Sequence, residues 1–178
     1  MSRNYFTPTA SSKRRKRGGR QCFDHLYVAR GLSAENTDFE CKHCHNHVSA
    51  APFISGVQNR NHCPYCLWSK HVDMYKAGDR LSACKQGMKP VGLTLKRTRD
   101  KYAGAWSGEL MLIHRCSDCG HISINRIAAD DDPETILGVY SASLAADDQL
   151  SAMLAANGIY ALAAEDAEIV RARLYGWE

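Results

Sequence analysis

Residues 58–73 read Gln58-Asn59-Arg60-Asn61-His62-Cys63-Pro64-Tyr65-Cys66-Leu67-Trp68-Ser69-Lys70-His71-Val72-Asp73. The spacing of Cys63 and Cys66 suits a redox dithiol, and it equally suits half of a metal cage. A glutaredoxin-type dithiol needs a buried strand before it and a thioredoxin-like helical context. Gln-Asn-Arg-Asn-His is too polar for that strand. Two further pairs with the same spacing, Cys41/Cys44 and Cys116/Cys119, decide the matter in favour of coordination. In each pair a tight knuckle can aim two thiolates at one ion while N–H groups of the turn donate to sulfur.

The first two pairs form Cys-x2-Cys-x18-Cys-x2-Cys, a spacing typical of a four-cysteine zinc site. Site one is therefore expected to be Cys41, Cys44, Cys63 and Cys66. Cys116 and Cys119 then need two more ligands. Cys84 is the natural third, and His71 is the preferred fourth, with His114 close behind. A competing arrangement groups Cys63, Cys66, His71 and Cys84 and pairs the two outer knuckles. Either way, two zinc ions per chain are expected. His43, His45 and His47 are read as surface decoration of the first knuckle. Cys22 with His25 is a weaker ligand pair beside a basic arm.

Composition supports the metal reading. Hydrophobic content of 44% and charged content of 24% are those of a folded protein, yet residues 58–89 hold few large aliphatics. A core that thin is usually supplemented by metals or disulfides. No apolar run approaches a membrane span, and the basic N-terminus is not followed by the apolar stretch of a secretory signal. The expectation is a cytoplasmic protein with reduced cysteines and no membrane partner.

Charge is unevenly placed. Residues 1–126 hold 21 Lys and Arg against 9 Asp and Glu, whereas residues 127–178 hold 2 against 10. A basic front implies a polyanionic partner. Lys13, Arg14, Arg15, Lys16, Arg17 and Arg20 lie in a Ser/Gly-containing stretch with almost nothing to bury, so 1–20 reads as a disordered phosphate-contacting arm. Lys96, Arg97 and Arg99, with Arg60, Lys70 and Lys101, extend the positive surface. Tyr65, Trp68 and Tyr102 offer rings for unpaired bases.

The expected fold class is a small metal-stabilised α+β domain. It has zinc-ribbon or treble-clef-like β knuckles, a hairpin and a C-terminal helical tail. Residues 90–98 and 108–115 read as strands joined by a polar loop, and 67–80 as room for a short helix after the second knuckle, ended near Gly78. Asp130-Asp131-Asp132-Pro133 breaks the pattern. Beyond it, Leu150, Met153 and Leu154 recur at helical spacing behind Asp147 and Asp148, with Gly158 as the stop. A second helix covers Glu165 to Leu174. The expected division is a basic arm over 1–20, a cysteine-rich domain over 21–132 and an acidic helical tail over 133–178, which could contact a protein partner.

Arg60-Asn61-His62-Cys63-Pro64 spells RNHCP, and the chain resembles the bacterial RNHCP-domain family. The likeness runs on through residues 66–73, Gly78-Asp79-Arg80, Cys84, Met88-x-Pro90, His114-x-Cys116-x-x-Cys119-Gly120 and Asn125-Arg126. It covers roughly Phe39 to Asp131. The resemblance implies a small cytoplasmic, cysteine-rich domain and assigns no chemistry. The residues themselves favour a structural-zinc module that binds RNA or the ribosome. The alternative is a zinc-dependent protein-interaction module. A dithiol enzyme, or a metal-dependent nuclease using Asn61, His62, His71 and Asp73, is disfavoured because sites closed by four protein ligands are structural. His62 is expected to organise the knuckle through hydrogen bonds.

Overall fold

Short hydrogen-bonded turns around the cysteines set the layout of the front of the chain, and a four-stranded sheet carries the rest. A computed structural model describes residues 38–96 and 108–176, all within the unit Glu35–Glu178. The strands are β1 (Phe39–Glu40), β2 (His47–Val48), β3 (Ser69–Lys70), β4 (Gly87–Lys96), β5 (Glu109–Cys116) and β6 (Ile122–Arg126). The helices are α1 (Pro52–Ser55), α2 (Pro133–Ser143), α3 (Asp148–Ala156) and α4 (Ala167–Tyr175), the last entered through a 3-10 turn at Ala164–Asp166. Among the described residues, no helix is long and apolar enough to cross a membrane.

β1 and β2 pair antiparallel across the first knuckle. The order β3-β4-β5-β6 makes the main antiparallel sheet. The long β4–β5 hairpin agrees with the strands expected from sequence, and its tip lies outside the described residues. β5 is buried along nearly its whole length because both faces are covered. Successive side chains point to opposite faces. Leu110 and Leu112, with Leu93, meet Ile136 and Tyr140 of α2, Val170 of α4 and Leu67. Ile113 on the other face joins Ile122 and Leu154, with Leu150 and Met153 of α3 packed against them. The small α+β fold, with metal-binding knuckles of the zinc-ribbon kind and C-terminal helices, is thus the one expected.

Two elements depart from expectation. Residues 67–80 form no helix: β3 follows the second knuckle directly, giving the ribbon form rather than the treble-clef order. The cause is local. Leu67 takes a left-handed φ of 59°, and Asp73 and Asp79 capture backbone N–H groups that a helix would have used. Conversely, α2 begins immediately after the triple aspartate. The Asp132 carboxylate accepts from the Thr135 N–H as N-cap, and Pro133 occupies the first turn. The helices at 148–156 and 167–175 fall where the sequence placed them, with Asp147 capping α3.

Candidate metal centres

The three Cys-x-x-Cys turns share one backbone pattern. The first cysteine's N–H donates to the carbonyl five residues on: Cys41 to Asn46, Cys63 to Trp68 and Cys116 to His121. Its carbonyl accepts from the N–H four residues on, that of His45, Leu67 and Gly120 respectively. The residue at that fourth position is left-handed each time, with φ of 61°, 59° and 74°. The β1–β2, His62–Ser69 and β5–β6 pairings flank the three turns.

A fourth turn repeats the pattern with a long insertion. His71 N–H donates to Gln86 O, Lys85 N–H donates to His71 O, and Lys85 is left-handed at φ 56°. His71 thus stands where the first cysteine stands, and Cys84 where the second does. The backbone amides agree: Cys44, Cys66 and Cys84 each receive an N–H two residues on, from Asn46, Trp68 and Gln86. Residues 72–83 replace the usual two. They are ordered from within by Asp79, which accepts from the N–H groups of Met74, Tyr75, Lys76 and Leu81. Asp73 accepts from Gly78 and Arg80.

Knuckles one and two face each other, as do three and four. Cys41, Cys44, Cys63 and Cys66 form one group and His71, Cys84, Cys116 and Cys119 the other, with all ligand atoms of a group within 4.8 Å of one another. Sγ–Sγ distances are 3.6 Å for Cys41–Cys66, 3.5 Å for Cys44–Cys63 and 3.6 Å for Cys84–Cys116. His71 Nδ1 lies 3.4 Å from Cys119 Sγ. Tetrahedral zinc with Zn–S of about 2.3 Å has sulfur edges of about 3.8 Å, so both groups fit such an ion. Each of the two groups can hold one zinc, giving two per chain.

Acid–base chemistry points the same way. Burial raises the Cys44 thiol, but donors from Asn46 and neighbouring cysteines outweigh it and bring it down to about 6. Burial pushes Cys63 up to about 11, and with Cys44 and Cys41 it pushes Cys66 higher still. One thiolate therefore forms easily and opposes the next, a conflict that a divalent cation relieves. Burial, then His121 and Lys85, depress the His71 imidazolium. The shift favours the neutral ring that a ligand must be, and that ring is stacked on His121 at 4.6 Å.

The alternatives weighed from sequence resolve geometrically. His71, not His114, completes the second group, and Cys63 and Cys66 are not grouped with His71 and Cys84. His114 is fully buried: its Nε2–H donates to Leu67 O at 2.7 Å, and Nδ1 accepts from Asn125 at 2.9 Å. Burial, with His62 nearby, lowers its pKa to about 3.

His62 is held by hydrogen bonds, its Nε2 lying 2.8 Å from Asp131 Oδ2. The arrangement around it was not foreseen. Arg60, 1% exposed, makes two 2.7 Å contacts to Asp130, one of 3.1 Å to Asp131 and one to the His62 carbonyl. Asp131 also accepts from the Ala128 N–H. The signal was the run Asp130-Asp131-Asp132, which reads locally as a helix breaker and yet supplies two carboxylates to the arginine ahead of the second knuckle.

The cations are less settled by the fold. Lys13, Arg14, Arg15, Lys16, Arg17, Arg20, Arg97, Arg99 and Lys101 lie outside the described residues, as do Cys22, His25 and Tyr102. Lys96 is exposed at the end of β4. Lys70 is crowded: burial lowers its ammonium, and Lys42, Lys85 and Arg80 lower it further. Beside it a cleft of about 260 Å³ is walled by Phe39, His43, Trp68, Asn61 and Gln86. His43 stacks on Trp68 with centroids 4.3 Å apart. Tyr65 is exposed.

A family model described as the RNHCP domain matches residues 36–137. No curated protein matches, and no solved structure matches.

Proposed function

This chain belongs to the RNHCP domain family, and from that premise we propose that it is a structural-zinc module that binds nucleic acid, RNA in particular, through its basic front. One observation carries the reading: Lys42 and Lys70 line one cleft, and Lys42, Lys85 and Arg80 lie close enough to Lys70 for their charges to oppose its ammonium. Of these, Arg80 has Asp73 at 3.9 Å. Thiolates of the metal groups offset part of this charge, but the excess of 21 cations over 9 acids in residues 1–126 is far larger. Knuckles fixed by zinc would present these ammonium groups on a rigid surface, and rigidity lowers the entropy lost on binding. The His43–Trp68 stack and the neighbouring cleft supply an aromatic surface of the kind unpaired bases use. Both metal groups are closed by four protein ligands, so the zinc here is structural in role.

The test is a titration of zinc-loaded full-length protein against fluorescent single-stranded RNA, structured RNA and ribosomal subunits at several salt concentrations. Affinity should fall with salt by about 0.7 log units per decade for each single-strand phosphate neutralised. Lys42→Glu with Lys70→Glu should weaken it at least tenfold with zinc content unchanged. Absence of binding to all three probes at low salt would overturn the reading.

A second reading, a protein contact, is favoured by the insertion 72–83, which exposes Met74, Tyr75 and Leu81 on a loop fastened by two aspartates. Pull-down with Tyr75→Ser against wild type separates it from the first.

A further inference from the structure

Lys89 and Arg115 stand directly opposite each other on β4 and β5. Both are exposed. Like charges directly across an antiparallel ladder are destabilising, and ordinary sheets avoid them or offset them with a carboxylate. Here neither cation forms an ion pair or hydrogen bond among the described residues, although Arg126, on the next strand, takes Glu109 at 2.9 Å. Among the described residues the repulsion is left standing.

The pair opens into a groove of about 1180 Å³ that runs between the third knuckle and the helices α2 and α3. Trp68 and Cys66 form part of its wall at one end, Leu150 and Met153 at the other. Two carboxylates line it as well. Asp147 is occupied in capping α3, and Asp118 is turned toward Cys84 Sγ at 3.6 Å. Along α2 the groove is bordered by Gly138, in mid-helix, where a Cβ would meet nothing within 4 Å. Glycine inside a helix costs roughly 1 kcal/mol relative to alanine, and no packing among the described residues requires it there. It leaves room for something that approaches the helix closely.

We propose that this groove is the seat of a single-stranded RNA segment, with Lys89 and Arg115 as the anchors of consecutive backbone phosphates and Gly138 as clearance for the strand. A phosphodiester between the two cations replaces their repulsion with two attractions, and Arg115 can meet phosphate with two parallel N–H donors. The helices wall the groove on one side and the knuckle on the other, which suits one strand rather than a duplex. The proposal rests on the nucleic-acid reading above and adds a location to it, on the face of the sheet that also carries Lys70, with Trp68 lining both this groove and the cleft beside Lys70.

The experiment uses zinc-loaded full-length protein and a fluorescent single-stranded RNA at several salt concentrations. Lys89→Thr with Arg115→Thr should raise the dissociation constant at least tenfold at low salt. It should flatten the salt dependence by about 1.4 log units per decade, the value for two phosphates. The same variant should melt at or above the wild-type temperature, because a repulsion has been removed. Gly138→Leu should fill the groove and weaken binding without lowering the melting temperature. Wild-type binding that both variants retain, with an unchanged salt slope, would overturn the groove and leave the nucleic-acid reading intact. Loss of binding together with a clear fall in melting temperature would make the pair structural and also overturn it. If the wild type binds no RNA, both readings fall.

Discussion

At the level of single residues, the five letters that mark the family have separate physical jobs. Cys63 is a ligand position; Pro64 O accepts from the Asp132 N–H at the start of α2. Asn61 O accepts from Lys70 N–H and the Ser69 hydroxyl, joining the two sides of the knuckle. Arg60 and His62 converge on Asp131, so a knuckle is tied to a segment some seventy positions later. Breaking a buried ion pair from one side leaves the other charge uncompensated, typically at a cost of 3–5 kcal/mol. Asp131→Ala should therefore destabilise the zinc-saturated protein by about 3 kcal/mol or more in urea unfolding. Replacement of Arg60 by Lys should also cost stability, since Nε, Nη1 and Nη2 reach the His62 carbonyl, Asp130 and Asp131 in three directions that a single ammonium cannot cover. Smaller and opposite in sign is His45→Gly. His45 holds a left-handed φ of 61°, a conformation that costs non-glycine residues about 1 kcal/mol, and its contact with Glu40 is exposed. A gain of up to about 1 kcal/mol is expected, read as a higher denaturant midpoint.

Among the elements, the fourth knuckle shows where sequence reading succeeds and where it stops. The pairs at 41/44, 63/66 and 116/119 were legible because the ligands are adjacent and the chemistry is local. The sequence favours His71 over His114 as the fourth ligand beside Cys84, and the structure groups them so, but the kinship of His71 and Cys84 as one knuckle is a backbone relation spanning a long insertion, and no short-range pattern encodes it. α2 is hard to read from sequence because Asp132-Pro133 has the look of a break, although N-cap aspartate followed by proline is also how a helix starts. The missing helix after Cys66 failed through competition, since the aspartates of residues 72–83 take backbone donors for themselves. Replacing 72–83 by two residues should leave two zinc ions per chain by native mass spectrometry, because the closing hydrogen bonds run between His71 and Lys85–Gln86 outside the loop. Loss of one ion would contradict the fourth-knuckle assignment. Asp79→Asn should loosen the loop by roughly 1–3 kcal/mol at neutral pH. Burial raises the Asp79 carboxyl, but four backbone donors outweigh it and hold it well below the usual range. Its stabilising effect is thus complete above the unfolded value of 3.8 and is lost as pH falls below that. The Asn variant should show the same pH dependence as wild type between pH 4 and 8.

For the molecule as a whole, the acidic C-terminal segment is part of the core. Ile136, Tyr140 and Val170 close the cluster around Leu93 and Leu112, each burial worth roughly 1.5–3 kcal/mol. Truncation after Asp132 should therefore produce a protease-sensitive, aggregating protein, and the role of tail charge is better tested by Glu165→Gln and Glu168→Gln. Metal is the other whole-molecule support. The thiols of Cys63 and Cys84, both raised to about 11, carry their protons at neutral pH and must release them to a metal. Zinc uptake at pH 7 should release protons, measurable by calorimetry in buffers of different ionisation enthalpy, and affinity should decline as the medium is acidified. Chelation should unfold the knuckles.

The order of the ligands along the chain gives the two metal groups different histories. All four cysteines of the first group have been synthesised by residue 66, whereas the second group waits for Cys119. At usual elongation rates that interval is roughly 3–10 s. During it, the nascent polypeptide can hold one ion in a finished cage while His71 and Cys84 have no partners. In a cell short of zinc, newly made chains would accumulate half-metallated, with the front knuckles formed and the sheet's far end open to oxidation and proteolysis.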